Sequence, residues 1–267
     1  MEIEIRRCGS ARRPFVGILQ KAHREGRRRA AFLMCRPFGQ EAIRTAPIYR
    51  AMSDRLAREG CAVLTVDHHG CGDSPGELDD QTLRGWVDDT LAADAQLRSD
   101  APGVPVHWFG MGLGANIASL AVQRSAPAPR CLVLWEPVLN GEAYVQRLMT
   151  VHRAEMAREM GRKWSDLVRR RAESEPELPG SVLGFTVGRQ LHEDVAQISG
   201  IQLAELVQRV SNIVLAVPDT EQDLLSKPAV AGLKVQAVET PINWMSTEAF
   251  GTSIVPQEIP RTLLATL

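Results

Sequence analysis

Short apolar runs alternate along this chain with longer segments in which apolar residues recur every three or four positions. The short runs are typical of strands buried in a parallel sheet, and the longer segments have the period of amphipathic helices. Two opening segments alternate apolar and polar residues and predict a hairpin or meander. The predicted strands cover 2–7, 14–20, 30–35, 61–66, 104–109, 131–134, 212–217 and 233–238, and the predicted helices cover 46–59, 78–101, 113–124, 224–231 and 256–267.

The alternation of strands and helices predicts an α/β protein with a mostly parallel eight-stranded sheet and helices on both faces. The pattern is interrupted only between about residues 140 and 209, where the sequence is helical in character and rich in Arg and Glu. We expect this segment to be a helical cap inserted after the sixth strand, above the carboxyl ends of the strands. The predicted organisation is therefore a core formed by residues 1–139 and 210–267, with a cap formed by residues 140–209.

Composition narrows the class of protein without identifying it. The 267 residues are 44% hydrophobic and 24% charged, which is typical of a packed chain, and the net charge of −1 argues against nucleic acid as a partner. No apolar run approaches the roughly 18 residues of a membrane span, and the N-terminus lacks the apolar core of a signal peptide. Five irregularly spaced cysteines favour buried thiols in a reducing compartment, so we expect a cytoplasmic protein without a metal site or cofactor.

One strand–turn–helix segment has the pattern of a nucleophile elbow, G-x-S-x-G. Gly110 and Gly114 occupy the two glycine positions of this pattern, but Gly112 occupies the position of the serine. Glycine adopts the positive φ of such a turn more easily than serine does, so the backbone can be retained while the hydroxyl group is absent. The sequence therefore predicts an elbow with no attacking atom.

The acid and the base of a catalytic triad would follow the elbow along the chain. Asp219 and Asp223 come after the strand at 212–217 and are candidates for the acid, with Asp223 the better placed of the two. None of the six histidines lies beyond His192, and Asn243 or Trp244 stands where the base is expected. A hydroxyl group without a base is a poor nucleophile at neutral pH, so the sequence lacks two of the three triad members.

Two other residues are candidate nucleophiles. Ser74 lies in a literal G-x-S-x-G match at residues 72–76, but Pro75 follows it directly and the context predicts a structural turn. Cys35 lies at the end of an apolar run, close to the pocket expected beside the elbow. A cysteine in such a run is usually a small buried core residue.

With these residues in view, the chain resembles α/β-hydrolase-fold proteins over nearly its whole length. More closely, it resembles the second of two hydrolase-like proteins that accompany exosortase A systems in exopolysaccharide gene clusters. The strings that carry this resemblance are Arg36-Pro37-Phe38-Gly39-Gln40-Glu41, Asp67-x-x-Gly70-Cys71-Gly72-Asp73-Ser74-Pro75-Gly76, Leu134-Trp135-Glu136-Pro137-Val138-Leu139-Asn140-Gly141, Gly184-Phe185-Thr186-Val187-Gly188 and the surroundings of Trp244.

The resemblance implies that backbone amides near Phe38 and Leu113 form an oxyanion hole, beside a pocket that includes Cys35, Met111 and Trp244. We expect a catalytically degenerate protein that binds an acyl- or glycan-type ligand, or a partner protein, in exopolysaccharide biosynthesis. The alternative is an active hydrolase of esters, thioesters or amides that uses a non-standard nucleophile.

Overall fold

The computed structural model describes residues 2–23, 29–161, 181–226, 228–239, 242, 244–245 and 255–267. Ten strands lie within these ranges: β1 (Ile3–Ser10), β2 (Arg13–Gln20), β3 (Ala31–Cys35), β4 (Ala62–Asp67), β5 (Val106–Met111), β6 (Cys131–Trp135), β7 (Ser181–Val182), β8 (Phe185–Thr186), β9 (Ile213–Val217) and β10 (Leu233–Ala237). The helices are α1 (Gly39–Arg58), α2 (Leu83–Asp100), α3 (Leu113–Val122), α4 (Gly141–Glu159), α5 (Arg189–Ala196), α6 (Leu203–Arg209), α7 (Gln222–Leu225) and α8 (Glu258–Leu264).

Eight of these strands form one sheet, in the order β1-β2-β4-β3-β5-β6-β9-β10. The pairings of β1 with β2 and of β2 with β4 are antiparallel, and all the others are parallel. Successive residues of the central strands enter separate hydrophobic clusters on the two faces, as Trp108 and Phe109 do. The prediction of a mostly parallel eight-stranded sheet covered on both faces is confirmed.

The first helix is longer than the sequence pattern predicts. The prediction began at residue 46, whereas α1 begins at Gly39 and contains Pro47 in its interior. A proline inside a helix removes one backbone hydrogen bond. The helix nevertheless continues through it, because Thr45, Ile48 and Tyr49 on either side of the proline are buried against the sheet. The predicted start was therefore wrong by seven residues, and those residues carry part of the site described below.

The second predicted helix is divided into two parts. Residues 78–80 form a single 3₁₀ turn, and α2 begins only at Leu83. Thr82 is the N-cap residue, and its hydroxyl oxygen accepts a hydrogen bond from the amide of Gly85 at 3.0 Å. The apolar period runs across the break, which explains why periodicity alone joined the two parts.

The segment between β6 and β9 carries α4, the β7–β8 hairpin, α5 and α6. It contacts the core at several points; for example, the carboxylate of Asp194 accepts a hydrogen bond from the amide of Leu83 at 3.0 Å. The predicted cap boundaries at residues 140 and 209 stay a prediction, and residues 162–180 of this segment lie outside the described residues. Among the residues described, no helix is both long and apolar enough to span a bilayer.

Candidate functional site

The elbow predicted from the sequence has the expected backbone. β5 ends at Met111, α3 begins at Leu113, and Gly112 between them has φ +52° and ψ −130°. The amide of Gly112 donates a hydrogen bond to the carbonyl oxygen of Trp135 at 3.0 Å. A Cβ atom on Gly114 would collide with the carbonyl oxygen of Cys35, so the close approach of α3 to β3 requires glycine at that position.

A cavity of about 290 Å³ lies beside the elbow, at the carboxyl ends of β5 and β6. Its wall includes Gly112, two acidic side chains (Glu41 and Glu136), Tyr144 of α4, and Trp244. No histidine belongs to the part of this wall that the structure describes. The carboxyl ends of the strands are where ligands bind in open α/β sheets.

Glu41 occupies the space that an elbow side chain would face. An ideal Cβ atom on Gly112 would lie 3.2 Å from Oε2 of Glu41. The same oxygen accepts a hydrogen bond from the phenolic hydroxyl of Tyr144 at 3.0 Å. Burial raises the pKa of Glu41 to about 7, and the negative charge of Glu136 contributes in the same direction. The cavity therefore holds, next to the elbow, a carboxyl group that titrates near neutral pH.

Glu136 is the second acidic group of the cavity. It follows β6 directly and has the uncommon φ of +44°, which turns the chain at the end of the strand. The indole Nε1 of Trp244 donates a hydrogen bond to its carboxylate at 3.3 Å. Burial raises the pKa of Glu136 to about 7, while the charge of Arg147 acts in the opposite direction. Two carboxyl groups with raised pKa values thus face one cavity.

The residues predicted to supply oxyanion-binding amides lie at two helix N-termini. Phe38 is the N-cap residue of α1, and Leu113 is the first residue of α3. Amides at these positions have no acceptor within their own helix and are available to a ligand oxygen. The side chain of Phe38 packs against Trp86 and Phe185, with ring centroids 5.7 and 6.1 Å apart. The oxyanion role of the two amides stays a prediction.

Some of the other predicted site residues line the cavity and some do not. Met111 and Trp244 belong to the cavity wall, whereas Cys35 is fully buried and its thiol pKa is raised by burial to about 12. Asp219 and Asp223 are exposed and do not belong to the described part of the wall. Asn243 lies outside the described residues.

Ser74 is held in a turn by the backbone around it. Its hydroxyl donates a hydrogen bond to the carbonyl oxygen of Asp67 at 2.5 Å and accepts one from the amide of Val16 at 2.8 Å. These bonds join the β4–α2 loop to β2. The geometry agrees with the structural turn that the sequence predicts.

Sequence reasoning assigned no role to Glu41, Glu136, Tyr144 or Arg147, although all four line the cavity. Glu136 carried a usable signal, because a charged residue directly after a buried strand lies at the ligand-binding edge of an α/β sheet. Tyr144 carried none, since it meets Glu41 from 103 residues away. Among the described residues there is no cluster of three or more side chains suited to hold a metal ion.

The sheet order, the strand–turn–helix elbow and the cavity above it define an α/β-hydrolase-fold protein. Two solved structures share this fold over nearly the whole chain. Est1E from Butyrivibrio proteoclasticus, determined with bound ferulic acid, is 16% identical, with 95% of this chain and 96% of that one covered and a TM-score of 0.59. A thermostable carboxyl esterase from Bacillus coagulans, in complex with glycerol, is 14% identical, with coverages of 99% and 96% and a TM-score of 0.59.

Residues 41–182, more than half of the chain, match the model of the serine aminopeptidase family S33. The chain belongs to this family. A monoglyceride lipase homolog of monkeypox virus is 31% identical over 98 residues. That alignment covers 36% of this chain and 35% of the viral protein, so the chain spans about a third of the length of this relative.

Proposed function

We propose that this protein is a catalytically degenerate member of its family that binds a small ligand of the acyl or glycan type. The observation that carries the proposal is the arrangement at the elbow. Gly112 supplies no nucleophile, and the carboxyl group of Glu41 lies 3.2 Å from the position of the missing Cβ atom. A protein with this arrangement lacks the serine chemistry of the family and keeps a cavity with two acidic side chains above the sheet.

The cavity wall favours a glycan-type ligand over a purely apolar one. Carboxylates accept hydrogen bonds from sugar hydroxyls, and Glu41 and Glu136 present two of them to one space. Trp244 adds an aromatic surface against which an apolar sugar face can pack. A place in exopolysaccharide biosynthesis, binding of a partner protein and a cytoplasmic location belong to the same proposal and derive from the sequence resemblance and composition.

Residual hydrolysis by a different group is the second candidate function, and one observation favours it. Glu41 lies beside the elbow with a pKa raised to about 7 by burial, which suits a general base that activates water at neutral pH. In this version Glu41 takes a proton from water as the water attacks an ester carbonyl, and the proton then passes to the leaving alkoxide. Neither Cys35 nor Ser74 offers comparable support.

Turnover of p-nitrophenyl acetate and butyrate, together with labelling by a fluorophosphonate, separates the two candidates. We expect the wild-type protein to show neither. We also expect Gly112→Ser to remain inactive, because the described part of the cavity wall contains no histidine to activate the new hydroxyl group. Turnover in the wild-type protein that disappears in Glu41→Gln but persists in the surface control Glu205→Gln would support the second candidate and contradict the first.

Ligand binding is tested directly by calorimetry with neutral sugars, starting from glucose, N-acetylglucosamine and cellobiose, and with octanoate as an acyl comparator. The proposal predicts that at least one of these compounds binds. It also predicts about a tenfold loss of affinity in Glu136→Gln at about pH 8, above the raised pKa of Glu136, since a charge-assisted hydrogen bond to the ligand is replaced by a neutral one. Failure of the whole panel, or binding that Glu41→Gln and Glu136→Gln both leave unchanged, would contradict the assignment of the cavity.

A further inference from the structure

A second cavity lies on the other side of the loop that joins β3 to α1. Its volume is about 120 Å³, and its wall combines that loop with the loop after β4, Trp86 of α2 and Phe185 of β8. Pro37 is the residue that contributes to the walls of both cavities, so this chamber is separate from the carboxylate-lined site.

The feature that distinguishes this chamber is the imidazole of His68. The residue is only 5% exposed, and neither ring nitrogen has a hydrogen-bond partner among the residues that the structure describes. The nearest carboxylate, that of Asp89, lies 3.8 Å from Nδ1 and is already bound by the guanidinium of Arg13 at 2.7 and 3.0 Å. Buried polar groups in proteins are normally hydrogen-bonded. An imidazole that lines a cavity and has no hydrogen-bond partner in the described part of the chain therefore points to a ligand.

The surroundings of His68 define the chemistry of that ligand. Its ring stacks on Trp86 with centroids 5.9 Å apart and an interplanar angle of 24°, and Phe38 and Phe185 extend the aromatic wall. The charges at the edge of the chamber neutralise each other, because Arg36 donates a hydrogen bond to the carboxylate of Asp67 at 2.5 Å.

Burial also lowers the pKa of His68 to about 4, so the imidazole is neutral at physiological pH. A neutral imidazole offers one donor and one acceptor, which matches a hydroxyl group. An apolar cavity of about 150 Å³ binds benzene in another protein. This chamber, at about 120 Å³, is somewhat smaller, which limits its ligand to a single six-membered ring.

We propose that this chamber is a second ligand site, which binds a small uncharged aromatic alcohol of the phenol type. The ring of the ligand packs against the aromatic wall, and its hydroxyl group hydrogen-bonds to His68. The inference does not depend on the function proposed for the carboxylate-lined cavity, since the two sites have different walls and different chemistry.

Phenol is the probe for this proposal. Its binding to the intact 267-residue chain is followed by the ¹⁵N resonances of the histidine rings and by calorimetry. We expect saturable binding of phenol at millimolar concentrations that shifts the ring nitrogens of His68. Benzene, which lacks the hydroxyl group, should bind about tenfold more weakly. Absence of saturable binding, or equal binding of phenol and benzene, would overturn the proposal.

His68→Phe removes both ring nitrogens and keeps an aromatic ring for the contact with Trp86. It should weaken phenol binding about tenfold without affecting benzene. His107→Phe is the matched control, because His107 is also buried but bonds to Thr266 through Nδ1 at 3.1 Å and lies away from the chamber. If His68→Phe does not fold, Phe185→Ala replaces it, since the loss of one wall should weaken both phenol and benzene. Unchanged phenol binding in a folded His68→Phe or Phe185→Ala variant would contradict the proposal.

Discussion

The absence of a side chain at Gly112 leaves room beside the elbow for the carboxyl group of Glu41. The carboxyl group of Glu41 lies where a residue larger than glycine at the elbow would point, and Tyr144 holds it there through a hydrogen bond. Burying a carboxyl group in this way disfavours its charged form. The same burial that raises the pKa of Glu41 therefore makes the stability of the protein depend on pH.

The sign of this dependence follows from the two pKa values. Glu41 and Glu136 each have an ordinary value of 4.5 and a folded value of about 7, so the folded state binds more protons between these limits. Their contribution to stability is fully present below about pH 4.5 and is lost as the pH rises through 7. We expect Glu41→Gln and Glu136→Gln to flatten the fall in unfolding free energy between pH 5 and about 8, measured by urea denaturation.

The control for this measurement is Glu205→Gln, which removes one negative charge from an exposed position on α6. It should leave the pH profile as it is in the wild-type protein. A profile that is equally steep in all four proteins would show that the two cavity carboxyl groups are not the source of the pH dependence.

Asn116 fixes helix α3 relative to the chain that leaves β6. Its side-chain amide donates to the carbonyl oxygen of Val138 and accepts from the amide of Val138, both at 2.8 Å. The side chain of Asn116 thus bonds to both backbone polar groups of Val138, as a residue of a neighbouring β-strand would. It joins the first turn of α3 to Val138, which belongs to the cavity wall.

Asn116→Ala leaves two buried backbone groups of Val138 without partners, and each such loss costs about 1–3 kcal/mol. We expect the variant to lose about 2–4 kcal/mol of unfolding free energy in urea, by the same reasoning. Asn212→Ala, at an exposed position beside β9, is the matched control and should change stability by less than about 0.5 kcal/mol. Equal stabilities of the two variants would contradict the role given to Asn116.

The elements of the core could be predicted from the sequence because their apolar runs are long enough to be buried on both faces of a sheet. The helix starts could not be predicted as well, since α1 passes through Pro47 and the break at Thr82 does not interrupt the apolar period. The side chains of the site were harder to predict than the helix starts, because the hydrogen bond between Glu41 and Tyr144 joins residues 103 positions apart. The backbone pattern of the elbow is local and could be recognised from the sequence, as could the position of Glu136 directly after a buried strand.

At the scale of the whole molecule, the segment between β6 and β9 is tied to the core by hydrogen bonds as well as by packing. Asp194 of α5 accepts a hydrogen bond from the amide of Leu83, which is the first residue of α2. This carboxylate therefore accepts a hydrogen bond from an amide that has no acceptor within its own helix. Its negative charge also interacts favourably with the positive end of the helix dipole.

Asp194→Ala should lower the free energy of unfolding by about 1 kcal/mol and speed hydrogen exchange at the first turn of α2, because it removes a capping interaction. Glu193→Ala, the exposed neighbour on the same helix, is the control and should do neither. Both proteins should unfold in a single transition seen identically by circular dichroism and tryptophan fluorescence. Faster exchange at α2 in the control alone would contradict the assignment of the bond.

Pro37 lines both the carboxylate-lined cavity and the chamber beside His68, and this shared wall has a thermodynamic consequence. The ring of Pro37 restricts its backbone φ, so the two walls share one conformationally restricted residue. If a ligand in one chamber changes the affinity of the other chamber by some factor, the second ligand must change the affinity of the first chamber by the same factor. Titration of phenol in the presence of a sugar, and of the sugar in the presence of phenol, should therefore give the same coupling factor.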